Sequence, residues 1–249
     1  MDGAELAACV PRPCILAADE GYNQEWSTEL TVQQAQDEYI KAWCALKIMS
    51  KVYGFGDPDG FVFNMSVGYD LDGIKGRKVN TYINNMMDAG KTAQFKECKK
   101  VLTELFPEEK DFIASISPNV SRSVTLSTLH GCPPQEIERI ASYLLKEKHL
   151  HTFVKCNPTI LGYKTARSIL DSMGYDYIVF DEHHFNEDLQ WEDAVPMFER
   201  LQKLADKQDL EFGLKLSNTS PSTRRAASFP TRKCTCPAAA SSHLSLIHI

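Results

Sequence analysis

One stretch of the chain, residues 121–159, has a pattern that predicts a strand, a helix and a second strand in succession. β-Branched residues dominate positions 123–127, which favours a strand. Apolar residues then recur at three- and four-residue spacing from Ile137 to Leu145, which favours a helix. Residues 152–156 predict the second strand. Such a βαβ unit brings the residues that follow each strand to one edge of a parallel sheet, where α/β folds bind ligands.

Strand and helix patterns alternate over most of the chain. Further strands are predicted at residues 14–18, 61–67, 176–180 and 211–216. Helices are predicted from Thr28 or Thr31 to about Val52, over residues 79–106 with an interruption near Gly90, and over residues 163–173 and 191–208. From residue 121 onward the strands recur at the average spacing of a (β/α)₈ barrel. Because only six strands are found, we expect an α/β, TIM-barrel-like fold that is incomplete.

Composition excludes several classes of protein. The chain has 249 residues and a formal net charge of −6, without a basic stripe, which argues against a nucleic-acid surface. No apolar run approaches the roughly 20 residues that span a bilayer, and the N-terminus lacks the basic region of a signal peptide. Eight scattered cysteines without a secretion signal favour reduced thiols. We therefore expect a cytoplasmic protein.

The last 30 residues differ from the rest. Residues 220–249 are rich in Ser, Pro, Ala and Arg and carry neither helix nor strand pattern. We interpret the chain as a partial barrel domain over residues 1–219 followed by a tail. The tail is either a disordered linker or the product of a reading-frame error, since residues 221–240 reread in the neighbouring frame resemble folded protein.

Cys132 is the first candidate for chemistry. It lies in the sequence His130-Gly131-Cys132-Pro133-Pro134, between a predicted strand and a predicted helix. A helix N-terminus lowers the pKa of a nearby thiol, so Cys132 could serve as nucleophile or proton donor. The alternative is that Cys132 only packs and the prolines only end the strand.

Lys155 is the second candidate, because a lysine inside a central strand must find a partner. In barrel enzymes such a lysine often meets a phosphate, a carbonyl or a flavin; otherwise its side chain extends to solvent from an edge strand. Small polar groups at other strand ends outline one polar rim with it, namely Asn64, Ser66, Asn157, Lys215, Asn218 and Thr219.

A third candidate is the sequence Asp181-Glu182-His183-His184 at the end of a predicted strand. Carboxylates and imidazoles could bind a divalent metal there. Neighbours on an extended segment point to opposite sides, so at most two of the four share a face. The alternatives are helix capping and direct contact with a ligand.

Five segments carry a resemblance to a known family. They read ADEGYNQEWSTEL (18–30), FNMSVGYDLDGIK (63–75), SVTLSTLHGCPPQEIERI (123–140), HTFVKCNPTILGY (151–163) and YDYIVFDEHHFNEDLQWEDAVPM (175–197). Together they resemble the YgfK-type family of flavin and iron–sulfur subunits, which is loosely labelled selenate reductase. The family is similar to dihydropyrimidine dehydrogenase and dihydroorotate dehydrogenase.

The resemblance implies a dihydroorotate-dehydrogenase-like barrel that starts upstream of Met1 in the family, so we expect the barrel of this chain to be incomplete at both ends. In the full-length family this barrel is joined to FAD- and 4Fe-4S-containing modules that this chain lacks, so we expect an internal barrel fragment that is inactive alone. In the wider flavin-barrel group a lysine of a VKxxPN-like segment contacts FMN, and Lys155 in VKCNPT is the nearest match. A Ser or Cys of an NxSCP-like loop is the acid/base, and Cys132 is its counterpart, although the group's preceding asparagine is missing. The order Cys-Asn-Pro-Thr also departs from the group's pattern at Asn157.

We therefore predict a flavin-dependent oxidoreductase barrel that acts on a small molecule together with other redox subunits or modules. Cys132, aided by His130, would exchange a proton with the substrate. The residues predicted to hold FMN are Lys155, Asn64, Asn157, Asn218 and Thr219. Two alternatives remain, a metal-dependent hydrolase or lyase centred on Asp181, Glu182 and His183, and a non-catalytic scaffold.

Overall fold

The structure is a computed structural model, and it describes residues 31–127, 132–216 and 223–224. Strands are β1 (Phe63–Val67), β2 (Ser121–Leu126), β3 (His151–Lys155), β4 (Ile178–Val179), β5 (Phe212–Lys215) and β6 (Thr223–Arg224). α-Helices are α1 (Val32–Tyr53), α2 (Leu71–Lys75), α3 (Arg77–Met87), α4 (Ala93–Leu105), α5 (Lys110–Ser115), α6 (Pro134–Lys146), α7 (Tyr163–Ser172), α8 (Glu182–Glu187) and α9 (Trp191–Lys207). Short 3₁₀ helices lie at Ala89–Lys91, Pro107–Glu109 and Pro158–Leu161.

Local sequence explains where the longest helix begins and ends. Thr31 precedes α1 and forms a capping box with Gln34: the Gln34 N–H donates to Thr31 Oγ1 at 3.2 Å, and the Thr31 N–H donates to Gln34 Oε1 at 2.9 Å. Gly54 ends the helix in the left-handed conformation that glycine adopts without steric cost. Of the two predicted caps, Thr31 is confirmed, and Thr28 lies outside the described residues.

Four strands form a parallel sheet in the order β1-β2-β3-β5. The helices between them cover one face, as the βαβ pattern of residues 121–159 predicts. Alternate residues of the strands point to this face, and they are apolar and buried. They include Met65, Val67, Val124, Leu126 and Val154. They pack with the buried face of α6, formed by Ile137, Ile140, Leu144 and Leu145.

The opposite face of the sheet, which we call the polar face, carries the other half of the strand residues. Strand register aligns Ser66 with Thr125 and Lys155 with Lys215 on neighbouring strands. The Asn64 amide donates to Thr125 Oγ1 at 2.6 Å across this face. Polar side chains in such rows are typical of a sheet face that meets a ligand or water rather than a helix layer.

The segment predicted as a strand at residues 176–180 differs from expectation. Only Ile178 and Val179 are extended, and they pair antiparallel with β6 rather than joining the parallel sheet, so β3 pairs directly with β5. The neighbouring Phe180 instead joins a separate small core with Leu170 and Phe185. The guanidinium of Arg167 donates to the Ile178 carbonyl, which holds the segment beside α7.

The other strand and helix predictions are confirmed within one to three residues wherever the structure describes them, including the break near Gly90, which lies in the Ala89–Lys91 turn. The predicted strand at 14–18 lies outside the described residues. The domain boundary at residue 219 stays a prediction, because only residues 223–224 of the tail are described. Among the described residues, no helix is long and apolar enough to cross a membrane, and Cys44, Cys98, Cys132 and Cys156 are free thiols.

Candidate functional site

A small cleft lies where the chain leaves β2 and β3 at their carboxyl ends, and we call it the β2–β3 cleft. The cavity itself measures only about 10 Å³, room for a single water molecule, and the surrounding depression measures about 310 Å³ when open solvent is counted. The cleft is lined by Cys132, Ile137, Lys155, Cys156, Asn157, Thr159, Ile160, Asp188 and Leu189. The edge of the sheet that the sequence predicts as the ligand-binding edge therefore carries a real depression.

Three of the predicted site residues come together in this cleft. Cys132 precedes α6, Lys155 is the last residue of β3, and Asn157 begins the turn after β3. All three are partly buried. Parallel pairing of β2 with β3 brings Cys132 to the same edge as the other two residues, although more than twenty positions separate them in sequence.

Lys155 lies on the polar face at the carboxyl end of its strand. Its register partner on β5 is Lys215, so two ammonium-bearing residues occupy neighbouring positions on this edge of the sheet. Lys155 is partly buried and lines the cleft, whereas Lys215 is exposed. Two adjacent cations favour a ligand with negative charge.

Asp188 is the one charged residue of the cleft that the sequence analysis missed. Its side chain is almost completely buried, with 6% exposure. Asp188 Oδ2 accepts a 2.7 Å hydrogen bond from Thr159 Oγ1 and a 3.2 Å hydrogen bond from the amide nitrogen of Asn157. In sequence, Asp188 follows α8 directly, a position where a carboxylate is usually solvated. Asp188 instead fixes the turn that carries Asn157.

The backbone around Asp188 is held by a second contact. The Gln190 amide donates to the carbonyl of Asp188 at 2.6 Å and to that of Phe185 at 2.7 Å. These bonds satisfy carbonyls at the end of α8 that the short helix leaves without intrahelical partners. As a result both the side chain and the main chain of Asp188 are fixed beside the cleft.

The surroundings of Cys132 raise the pKa of its thiol, whereas its position before a helix predicts a lowered pKa. Burial of the thiol is the main cause that raises the pKa of Cys132, and the carboxylates of Glu136 and Asp70 raise it further. The expectation of a lowered pKa is therefore wrong. Glu136 is held near the cleft because its Oε1 accepts the Leu71 N–H at 3.0 Å. At neutral pH the sulfur carries its proton, which suits a proton donor better than a nucleophile.

The remaining predicted residues do not line the cleft in the described part. Asn64 is an exposed residue of β1 whose amide bonds Thr125 on the polar face. His130, Asn218 and Thr219 lie outside the described residues, so their roles stay predictions. Cys156 and Thr159, which the sequence analysis did not propose, belong to the cleft wall.

The residues of the metal alternative form a helix start instead of a strand end. Asp181 is the N-cap of α8, and its Oδ1 accepts the His183 N–H at 2.9 Å. His183 Nε2 lies 3.0 Å from Glu187 Oε1 one turn later. In the described ranges there is no group of three or more His, Cys, Asp or Glu side chains that could hold a metal ion. Helix capping, one of the alternatives for this segment, accounts for Asp181.

A parallel sheet with a cleft at the carboxyl ends of its strands is found in α/β barrels and in open α/β folds. Comparison with known proteins shows the family to which the chain belongs. The family described as "Oxidoreductase YgfK, N-terminal TIM-barrel domain" matches residues 1–244. The chain belongs to this family, which confirms the TIM-barrel fold class, and the open sheet of four parallel strands is compatible with it.

Two curated relatives are similar to the chain. Both are named "Putative oxidoreductase YgfK", one from Escherichia coli strain K12 and one from Escherichia coli O157:H7. Each is 43% identical over 235 residues, covering 88% of this chain and 23% of the relative. The chain thus spans about a quarter of the length of these relatives. No solved structure matches the chain.

Proposed function

We propose that this domain is the FMN-binding barrel of an oxidoreductase and that proton transfer takes place in the β2–β3 cleft. The observation that carries the proposal is the meeting of Cys132, Lys155 and Asn157 in one cleft at the carboxyl edge of the sheet. A thiol that holds its proton, an ammonium and an amide are what a flavin-dependent proton transfer needs in one place. The family's description as an oxidoreductase supports the same class of reaction.

The chemistry of the polar face fits FMN. This cofactor carries a phosphate and a ring whose heteroatoms accept and donate hydrogen bonds. The polar face offers amide and hydroxyl groups at Asn64, Ser66 and Thr125, and a pair of lysines in register at its edge. In the described part of the chain, the apolar layer of helices packs on the other face of the sheet.

FMN, when bound, supplies the transfer of a hydride or of single electrons. The role of Lys155 is to hold the cofactor by charge and hydrogen bonding, since an ammonium stabilises negative charge nearby. Of the two aligned lysines, Lys155 is the one that is partly buried and lines the cleft. A partly buried ammonium is less screened by water than an exposed one, so Lys155 is the stronger contact.

Cys132 holds the proton that the reaction moves. Its Sγ is protonated at neutral pH because burial and the carboxylates of Glu136 and Asp70 raise its pKa. The thiol gives this proton to a substrate atom in one direction of the reaction and takes it back in the other. His130 would assist this exchange from the preceding turn.

Asp188 acts as a positioning residue. It accepts hydrogen bonds from the side chains of Thr159 and Asn157, so it orients the turn between β3 and α7. Because the side-chain amide nitrogen of Asn157 donates a hydrogen bond to Asp188, the Asn157 side chain has a fixed orientation beside the cleft. A ligand there meets a polar group that does not have to be reordered on binding.

The remainder of the reaction belongs to the longer protein. We infer that electrons pass between this barrel and FAD and 4Fe-4S modules elsewhere in the full-length proteins, whose length is about four times that of this chain's match. The substrate is a small molecule; no residue of the cleft points to selenate in particular.

The test is a measurement of bound cofactor in the purified 249-residue chain and in a full-length relative. The proposal predicts the visible absorbance of an oxidised flavin in both, and FMN as the flavin that denaturation releases from the chain. Of the two proteins, only the full-length one would also release FAD. A folded chain that neither retains FMN nor binds added FMN would overturn the proposal, and metal analysis of the same sample would then separate a metal-dependent enzyme from a scaffold.

A further inference from the structure

Two thiols lie outside the β2–β3 cleft, in a groove between α1 and α4. Cys44 belongs to α1 and Cys98 to α4, and both line this groove. The other residues that line the groove are Lys41, Ala45, Gln94, Glu97, Val101 and Leu102. Its empty volume is about 490 Å³, including solvent at its open side. A small polar oxidant therefore has access to the groove.

The two sulfurs are neighbours across the helix interface. Both sulfurs line the same groove, and after burial the neighbouring Cys98 is the next cause of the raised pKa of Cys44. The Gln94 side-chain amide donates to Cys98 Sγ at 3.4 Å. Cys44 is 1% exposed, whereas Cys98 is only partly buried. Burial raises the pKa of Cys44 to about 12, so this residue is a neutral thiol at neutral pH. The ammonium of Lys41 lies near Cys98 and lines the same groove.

We propose that Cys44 and Cys98 form a reversible disulfide when the protein meets hydrogen peroxide. In the first step the Cys98 sulfur attacks the peroxide: an S–O bond forms, the O–O bond breaks and one water leaves. In the second step the Cys44 sulfur attacks the Cys98 sulfur: the S–S bond forms, the S–O bond breaks, and the Cys44 proton leaves with the hydroxyl as a second water. Two thiols lose two electrons, and one peroxide is reduced to two waters.

The assignment of the two roles follows from exposure. The partly buried Cys98 is the sulfur that an oxidant reaches first, and the buried Cys44 is the resolving thiol beside it. Oxidised Cys98 then has a thiol as its direct neighbour, so the disulfide forms before a second peroxide reacts with the sulfur. The resulting bond ties α1 to α4. This device does not depend on the function proposed for the β2–β3 cleft.

The experiment is peptide mapping of the full chain after brief treatment with hydrogen peroxide at low protein concentration. Trypsin cleaves after lysine, so Cys44 is released in residues 42–47 and Cys98 in residues 97–99. The expected product is these two peptides joined by a disulfide, found in the monomer band of a non-reducing gel and lost after treatment with dithiothreitol. A rise in the thermal unfolding midpoint of the oxidised chain, reversed by reduction, is expected with it.

Variants separate this pair from the other thiols. Cys98→Ser should abolish the linked peptide. In Cys44→Ala the Cys98 sulfur should instead proceed to sulfinic acid. Cys132→Ala is the matched control, because Cys132 is also a partly buried thiol, and the linkage should form in it as in the wild type. Since Cys44→Ala leaves a small buried cavity, circular dichroism should establish that this variant is folded.

Two results would overturn the proposal. One is conversion of Cys98 to sulfinic acid in the wild-type chain without any linked peptide. The other is linkage of Cys98 to a cysteine other than Cys44. The wild-type mapping alone distinguishes these results from the expected one, so the test stands even if the Cys44 variant fails to fold.

Discussion

The side-chain amide nitrogen of Asn157 donates a 3.2 Å hydrogen bond to Asp188 Oδ2, which also accepts a 2.7 Å hydrogen bond from the hydroxyl of Thr159. A buried carboxylate thus connects the turn after β3 to the end of α8. The turn carries one predicted ligand-binding residue and follows directly after another, Lys155. The geometry of the cleft therefore depends on a residue that comes more than thirty positions after that strand.

Replacing Asp188 should destabilise the domain. In Asp188→Ala both Thr159 and Asn157 lose their acceptor in a nearly dry site, so the free energy of unfolding should fall by about 2–3 kcal/mol. Urea denaturation measures this change. Glu187→Ala is the matched control next to it, because the Glu187 carboxylate is half-exposed, and it should change the free energy by less than about 0.5 kcal/mol. Equal effects of the two substitutions would contradict the assigned hydrogen bonds.

The thiol of Cys132 should react slowly with iodoacetamide at neutral pH, because its pKa is raised by burial and by the carboxylates of Glu136 and Asp70. Glu136→Gln removes one negative charge that disfavours the thiolate, so the pKa should fall and alkylation should begin at lower pH. The rate is measured by mass spectrometry on the peptide that contains Cys132. Glu147→Gln, in the residue after α6, is the control and should leave the profile unchanged. A Glu136→Gln profile that moves to higher pH would show that Glu136 does not act on the thiol by its charge.

Arg200 and Glu138 connect α9 to α6 through two 2.7 Å hydrogen bonds. These bonds hold the pKa of Glu138 below its ordinary value. The folded state therefore binds this proton less readily than the unfolded chain, and the stabilisation is present above the ordinary carboxyl pKa and lost as the pH falls through the lowered one. Arg200→Gln should be slightly less stable than the wild type at neutral pH, because partly exposed ion pairs contribute little.

The pH dependence is the diagnostic part of this prediction. The difference between Arg200→Gln and the wild type should disappear in strong acid, where Glu138 is protonated in both. Urea denaturation at the two pH values measures it, with Lys203→Gln on the same helix as the control. A difference of the same size at both pH values would mean that Arg200 acts through packing and not through this carboxylate.

Gly213 lies directly under the ring of Phe153. A methyl group at position 213 would come within 2.6 Å of two ring carbons, so the ring would have to move. Gly213→Ala should lower the free energy of unfolding by about 1–3 kcal/mol through overpacking. Strand propensity alone predicts the opposite sign, because alanine is better than glycine in a strand. Urea denaturation decides between the two.

A second substitution tests the cause of that destabilisation. Adding Phe153→Leu to Gly213→Ala should recover part of the loss, because a smaller side chain leaves room for the methyl group. A double-mutant cycle measures this coupling. Strictly additive effects would show that the ring of Phe153 is not what makes glycine necessary on β5.

The parts of this fold that could be predicted are those that local sequence determines. Thr31 with Gln34 determines the start of α1, and the apolar spacing from Ile137 to Leu145 determines the buried face of α6. The βαβ unit then brings Cys132 and Lys155 to one edge by pairing rules alone. Those rules depend on residues close together in the chain, so they can be applied without a structure.

The parts that could not be predicted depend on residues distant in sequence. The pKa of Cys132 is raised partly by Asp70, which lies more than sixty positions earlier in the chain. No local sequence pattern predicts that these two residues are close in space. Ile178 and Val179 have strand propensity, but they pair with β6 in the tail and not with β3. Strand propensity does not specify the partner of a strand, so this pairing could not be predicted. Asp188 was missed because a carboxylate after a helix is usually solvated.

The central claim is that FMN contacts Lys155 where the polar face meets the mouth of the β2–β3 cleft, and equilibrium titration of the flavin-free chain with FMN tests it most directly. Lys155→Met should weaken binding at least about ten-fold, the equivalent of one charge-assisted hydrogen bond. Lys146→Met, at an exposed position of α6, should bind as the wild type does. Equal dissociation constants for folded Lys155→Met and the wild type would contradict the claim and place the cofactor, if bound, elsewhere.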